Sequence, residues 1–404
     1  MTAGSEPPAP PPSDRLLIVL LAVITAAGPV AMNIYLPALP GVQAHFGTTV
    51  AQMNTTVSLA LTAFAVGILV YGPLSDRYGR RPVILAGLSI FAAGNLLCLF
   101  APSFEVLLAG RVVQALGTSA GVVVSRAMLG DLYGREKMAR MLAYLTMVMV
   151  VGPTIAPLVG GFVTEAFGWQ SIFALLLAAS ALILGFAWRH MPETRRAGPG
   201  SGSAGALARE SLAMLRRPVF LGFAMVAAMI YAIFLAFISI APYVMSRLGH
   251  SATEYGSWYL LVALGYFLGN WIVTRHASRI GLARLISLGV TIQLACAIAG
   301  AALVLAGFWH PAAIFVPMGL LGFGQGLALP NITASAVALA PRTPGSAASM
   351  LGFTQQMVGA LAVQGMAAFP AGSPVPIYVF TVAVALVAWL SLFAFPRSEA
   401  SPAV

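Results

Sequence analysis

The sequence predicts an all-α membrane protein of twelve transmembrane helices, six on each side of a polar linker, and three observations carry this. Apolar residues make up 59% of the 404-residue chain and charged residues only 8%, about a third of the roughly 25% usual in soluble domains. Twelve runs are long and apolar enough to cross hydrocarbon. Of the 21 lysines and arginines, 19 fall in alternate gaps between those runs. A chain of this composition cannot clothe a water-facing surface.

A helix needs about 20 apolar residues to cross a ~30 Å hydrocarbon core. Residues 1–14, with TAGSEPPAPPPSD, are Pro-rich and expected to be disordered. The run that follows is too long for a signal-peptide core and reads as a retained first span. The first six runs are 15–38, 50–72, 82–101, 104–127, 139–163 and 169–188. The gap at 189–217, rich in Gly, Ser and Arg, reads as a cytoplasmic linker with a short interfacial helix near 206–216. The second six are 218–245, 254–275, 283–307, 311–334, 345–369 and 374–395, before a tail at 396–404. The expected domains are therefore a bundle at 15–188 and a bundle at 218–395.

The net charge of +10 invites a nucleic-acid reading, but such charge should gather on one face with polar contacts. Here only Arg111 and Arg247 depart from the alternate gaps. The positive-inside rule then puts both termini and the linker in the cytoplasm of a multi-pass protein of the bacterial inner membrane. Nucleic acid is excluded as a partner, and the lipid bilayer is the expected one. Cys98 and Cys296 each lie inside an apolar run and read as packing thiols. The histidines form no ligand-spaced cluster, so no metal and no cofactor is expected. Enzyme or receptor signatures do not stand out: there is no H-E-x-x-H and no pair of acids within a span.

Four stretches stand out, taken along the chain. Span one ends in MNIYLPALP, with an amide, Asn33, where hydrocarbon is expected. Between spans two and three, GPLSDRYGRRPVILAG sets Gly72 and Gly79 around one acid, Asp76, among Arg77, Arg80 and Arg81. Topology explains the arginines and not the acid. A weaker echo follows span eight, with basic residues and Gly281 but no acid.

Span four holds GRVVQALG, with Arg111 about 12 Å in from Ser103 at 1.5 Å per residue. An intramembrane arginine costs at least ~2.5 kcal/mol unless it faces a cavity or finds partners. Two readings stand: a ligand-facing charge, or a structural one bonded to carbonyls freed by the Gly-Pro break of span five. That break belongs to the fourth stretch, Gly152-Pro153 through Pro157 to Gly160-Gly161, a bendable helix able to pack closely. In span seven, Tyr231, Phe234 and Phe237 share a helix face, as packing or as a cavity wall.

The turn between spans two and three resembles the G-x-L-x-D-R-x-G-R-R signature of the major facilitator superfamily. GRVVQALG is similar to that family's span-four signature, with Ala115 for a glycine. Residues 152–161 resemble its antiporter motif, with Ala156 for the middle glycine. YLPALP, with FLAFISIAPYVMSRLGHSATEYG and GSAASMLGFTQQ, looks like the bicyclomycin-resistance (Bcr/CflA) branch of drug:H+ antiporters, and the likeness covers about 15–395.

The resemblance implies two pseudo-symmetric six-helix bundles and efflux of drugs or other small molecules by proton antiport, from a monomer. It implies a cytoplasmic latch in which Asp76 meets the start of span eleven, at Pro344-Gly345-Ser346. It also implies a cavity lined by Met32, Asn33, Tyr35, Asn54, Ser58, Arg111, Gln114, Tyr231, Phe234, Phe237, Phe353 and Gln356. In that branch an acid usually precedes YLPALP; this chain has Asn33, which can bond a ligand but cannot carry a proton. All eleven acids lie in tails, loops or span ends. Asp131 and Glu165 are then the candidate proton sites, and the alternative is an exporter of neutral or anionic substrates with little or no proton coupling.

Overall fold

The computed structural model describes residues 14–133, 135–195, 214, 216–340, 344–370 and 372–394. Most of the linker with its expected interfacial helix, the tails apart from Asp14, and Arg342 lie outside them. The described residues form thirteen α-helices and one 3-10 turn, with no strand among them. Eleven helical spans are long and apolar enough to cross a membrane. The twelfth, Pro344–Met366, carries several amides and hydroxyls and packs between two other helices. The protein is a multi-pass membrane protein.

Span one is longer than the apolar run. Helix α1 (Asp14–Tyr35) passes through the turn Leu36–Ala38 into α2 (Leu39–Phe46), so the helical path runs eight residues past the expected end at 38. Pro37 and Pro40 sit in the first turns of these segments, where their missing N–H is not needed.

Helix α3 (Val50–Tyr78) is started by a capping box of Thr49 and Gln52 and runs past the expected 72. Only Gly79 separates it from α4 (Arg80–Leu99). The signature turn is thus a single residue, at φ 101° and ψ 156°, a region open almost only to glycine.

Helices α5 (Phe104–Leu132), α6 (Arg135–Phe167) and α7 (Gln170–His190) complete the first half. The second comprises α8 (Pro218–Arg247), α9 (Ala252–Ile280), α10 (Leu282–Leu305), α11 (Pro311–Ala338), α12 (Pro344–Met366) and α13 (Val375–Ala394).

The halves are two copies of one plan. In the first, α4 packs on α5, α3 on α5, α1 on α6 and α4 on α7; in the second, α10 packs on α11, α9 on α11, α8 on α12 and α10 on α13. An offset of 202 residues relates Gly47 to Gly249 and Gly79 to Gly281, all with positive φ. The same offset relates the capping residues Thr49 and Ser251. The echo of the signature turn after span eight is therefore a structural repeat, which keeps the glycine and loses the acid. Between the halves the main contacts are α6 with α9 and α3 with α12. Many large apolar side chains point outward, among them Leu182, Phe186 and Trp188, as suits a surface facing lipid.

Candidate functional site

Where the halves meet lies a cavity of about 90 Å³. Residues from α1, α3 and α5 wall one side, and Tyr231, Phe234, Leu235 and Ile238 of α8 with Gln356 of α12 wall the other. Drug-sized ligands occupy roughly 300–1,000 Å³, so admitting one requires the halves to part further. The repeat is visible in its walls: Pro29, Met32 and Asn33 face Tyr231, Phe234 and Leu235, each pair 202 residues apart. The first half supplies the polar member of this set, and the second supplies rings and aliphatic carbon.

Arg111 is 1% exposed. The cap at Ser103 starts α5 two turns earlier and so sets its depth. Its Nη1 donates to Gln114 Oε1 and, at 3.5 Å, to the carbonyl of Ala31. Nη2 reaches Met32 Sδ at 3.6 Å, and the guanidinium lies 4.5 Å from the centre of the Tyr35 ring. Its Nε has no partner.

Gln114 Nε2 donates in turn to Asn95 Oδ1 at 2.5 Å, and Asn95 Nδ2 to the Phe91 carbonyl at 3.0 Å. Sequence reading missed Asn95 because its partner lies on another helix. The carbonyl that Arg111 meets belongs to α1 and not to the Gly-Pro break of α6. No acid among the described residues pairs with it: the described ion pairs join Asp76 and Asp131 to Arg80, and His250 to Glu254.

Asn33, 7% exposed, spends both ends of its amide. Nδ2 donates to the Pro29 carbonyl at 2.8 Å, and Oδ1 accepts from the hydroxyl of Tyr259 in α9 at 3.0 Å. This residue joins the two halves as well as lining the cavity.

Seven expected lining residues border the cavity: Met32, Asn33, Arg111, Gln114, Tyr231, Phe234 and Gln356. Five lie elsewhere. Tyr35 is fully buried beneath the guanidinium and against Phe173. Asn54 Nδ2 donates to the Val363 carbonyl at 3.2 Å and Ser58 Oγ to Gln364 Oε1 at 3.1 Å, so both tie α3 to α12.

Phe237 packs edge-on against Phe315, with ring centres 5.3 Å apart. Each three-residue step falls about 60° short of a full turn at 3.6 residues per turn, so the third ring of the stripe rotates off the cavity face. Phe353 packs against a separate apolar cluster with Phe220, Met350 and Leu351. Sequence reading missed Phe64, Thr118, Leu235 and Ile238, which line the cavity; the repeat offset would have found Leu235 from Asn33.

The halves are sealed at one end. A Cβ on Gly161 of α6 would lie 2.3 Å from the Ala252 carbonyl oxygen and one on Gly256 of α9 2.5 Å from Leu158 Cα, both across the halves. Within the first half, one on Gly160 would lie 2.0 Å from the Ile34 carbonyl oxygen. There α6, with Pro153 and Pro157 inside it, meets α1 and α9, while Gly152, nearer the other end, sits beside Val30. Glu165 accepts from the Thr253 N–H at 2.8 Å and its hydroxyl at 2.7 Å. Toward the arginine-rich end α6 and α9 part, leaving an apolar cleft of about 330 Å³ lined by Val151, Ile155, Leu260, Leu264 and Phe267 among others.

At that arginine-rich end Asp76 pairs with Arg80 at 2.5 Å, and Arg80 with Asp131 at 2.9 Å. Asp76 is therefore held in its own half and makes no bond to α12 among the described residues. Two residues that sequence reading left out complete this cluster. Thr194 donates to Asp131 at 3.2 Å, and Glu193 accepts the N–H groups of Arg80 and Arg81 at 2.9 and 3.1 Å. Partial burial raises the Glu193 pKa, but N–H groups of Arg195, Arg80, Arg81 and Thr194 outweigh it and hold the carboxyl below its usual range. Of the two candidate proton sites, Asp131 lies in this cluster and Glu165 at the sealed end.

Residues 21–363 match the model of the Major Facilitator Superfamily. The chain is 28% identical over 343 residues to "Multidrug resistance protein D" of Escherichia coli, covering 84% of this chain and 85% of that one. It is 32% identical over 333 residues to "Chloramphenicol resistance protein" of Pseudomonas aeruginosa, covering 80% and 75%. A "Bicyclomycin resistance protein homolog" of Haemophilus influenzae is 24% identical over 352 residues, covering 84% and 86%.

Among solved structures, a bacterial homologue of the human lysosomal transporter Spinster superposes with TM-score 0.76 at 19% identity over 99% of this chain and all of that one. The xylose transporter XylE of E. coli does so with TM-score 0.72 at 12% identity, over 96% and 99%. The signature turn, the repeat and the relatives agree: this chain belongs to the Major Facilitator Superfamily, within its bicyclomycin- and chloramphenicol-resistance branch.

Proposed function

We propose that this transporter exports amphiphilic antibiotics or metabolites by alternating access, with weak or absent proton coupling. One observation carries the reading: the cavity between the halves sets an aromatic and aliphatic wall against a polar one, and no acid borders it among the described residues. Such walls suit bulky, weakly polar ligands. Relatives named for multidrug and chloramphenicol resistance support the drug class.

The positive-inside rule supports placing the arginine-rich end and both termini in the cytoplasm of a bacterial inner membrane. The sealed end then faces outward, and this form loads from within. The units that rock against each other are 15–188 and 218–395, in a monomer. Proton antiport through Asp131 or Glu165 would have to act at a distance, since neither borders the cavity.

The test is reconstitution in liposomes with internal pH followed during transport of a neutral phenicol. Drug flux without matching proton flux is expected, and Asn33→Asp should introduce proton flux. Proton movement that scales with drug flux in the wild type would sink the uncoupled reading.

A further inference from the structure

Arg111 presents a charge that a carrier of neutral amphiphiles does not use. Each acid with a described side chain is engaged or placed away from it. Asp76 and Asp131 hold Arg80, Glu193 holds the start of α4, Glu165 holds Thr253, Glu254 caps α9, and Glu105 lies in the first turn of α5. Glu6, Asp14, Glu136, Glu210 and Glu399 fall by sequence in the tails, the linker or the start of α6. The second half supplies no counter-ion to the cavity either, since its wall residues are Tyr231, Phe234, Leu235, Ile238 and Gln356.

The guanidinium's own bonds show which edge is free. Nη1 is taken by Gln114 and the Ala31 carbonyl, which orient the group. The opposite edge, Nε with Nη2, meets only the thioether of Met32, a weak acceptor, and Nε meets nothing. That edge is the one that binds a carboxylate or sulfonate through two parallel N–H donors. Met32 also lines the cavity, and rotation of its flexible side chain would admit such a group. A buried charge is stable when paired, and here the pairing partner has to come from outside the chain.

We propose that the cavity is a site for an amphiphilic organic anion, its single acidic group paired with the Nε–Nη2 edge of Arg111 and its apolar body lying against Phe64, Tyr231, Phe234 and Leu235. This rests on the exporter reading and names its substrate class. It also supplies a driving force without a titratable group. If the loaded site is neutral and the empty one cationic, each cycle carries one negative charge outward. An inside-negative membrane favours that by about 50-fold per 100 mV.

The test uses the full chain in nanodiscs and three probes that share one ring system: naphthalene-2-sulfonate, naphthalene-2-sulfonamide and 2-naphthylmethylammonium. Calorimetry should give the sulfonate at least tenfold tighter binding than the sulfonamide, with the ammonium weakest. Arg111→Gln should remove the difference and Arg111→Lys should retain part of it.

If Arg111→Gln does not fold, Asn33→Asp serves, because it places a carboxylate on the same wall, anionic whenever it is not carrying a proton. It should weaken the sulfonate at least tenfold and strengthen the ammonium. Equal binding of sulfonate and sulfonamide, or a preference that survives Arg111→Gln or Asn33→Asp, overturns the proposal. In liposomes, sulfonate flux should rise with an imposed valinomycin potential, and potential-independent flux counts against it. Phenicol export without charge preference leaves the exporter reading standing and removes the anion site. Arg111-dependent sulfonate binding with no flux of any probe keeps the site and removes the exporter reading.

Discussion

The bond from Tyr259 to Asn33 is the one place where a polar side chain of the cavity wall crosses directly to the other half among the described hydrogen bonds. Tyr259→Phe would leave the buried Asn33 oxygen without its donor, at a cost of about 1–3 kcal/mol. A melting temperature in detergent a few degrees below wild type is the expected outcome. Adding Asn33→Leu, which copies its counterpart Leu235, should restore most of the loss, because removing both partners of a bond is far cheaper than orphaning one. Additive losses in the double variant would show that the two residues are not coupled.

Neither Tyr259 nor Asn95 was legible in the sequence, although Asn33, Arg111 and Gln114 were. A polar residue inside an apolar run announces itself, whereas its partner, a tyrosine or an amide on another helix, looks like ordinary packing. Glu193 escaped for a similar reason, since its 113-residue reach to Arg80 leaves no local pattern. Its lowered pKa has a sign that can be checked. A depressed carboxyl contributes stability above its unfolded value of about 4.3 and loses it as pH falls through the folded value. Acid melting curves between pH 5 and 3 should therefore be flatter for Glu193→Gln than for the wild type. Parallel curves would remove this carboxyl from the account.

At the scale of the helices, span number was readable from hydropathy, but ends were not. Apolar runs report the hydrocarbon thickness, while α3 continues six residues past its run, through Pro73, to Tyr78 and ends at Gly79. The pair Gly79 and Gly281 separates two causes of glycine's use. Both have positive φ, but a Cβ at 79 would also lie 2.5 Å from the Glu193 carboxylate, whereas at 281 it would meet nothing within 4 Å. Gly281→Ala should then cost only backbone strain, about 1–3 kcal/mol. Gly79→Ala should cost more, and in a Glu193→Ala background its cost should fall back to that strain alone. Equal melting temperatures for the two glycine variants would mean that the carboxylate gives way freely.

For the whole molecule, the question is how firmly the sealed end is held, because alternating access requires it to open. Asn33–Tyr259, Asn54–Val363, Ser58–Gln364 and the two bonds from Thr253 to Glu165 cross between the halves there. At a net ~0.5–1.5 kcal/mol each, five such bonds sum to a few kcal/mol, the size of gap that leaves a minor state populated and movable by a ligand. Loosening the seal should therefore shift the population without unfolding either half.

Combining Ser58→Ala with Glu165→Ala removes three of the five bonds, a change of roughly 1.5–4.5 kcal/mol if opening returns these groups to water. A cysteine placed at Leu61 on the cavity wall, in a Cys296→Ala background, reports the result. With the arginine-rich end inside, labelling of intact cells by an impermeant maleimide should accelerate at least tenfold in the loosened variant. Transport would fall because the inward-loading form is depleted. An unchanged labelling rate would mean that the close backbone packing of Gly161 against Ala252 and of Gly256 against Leu158, and not the polar bonds, holds the end shut.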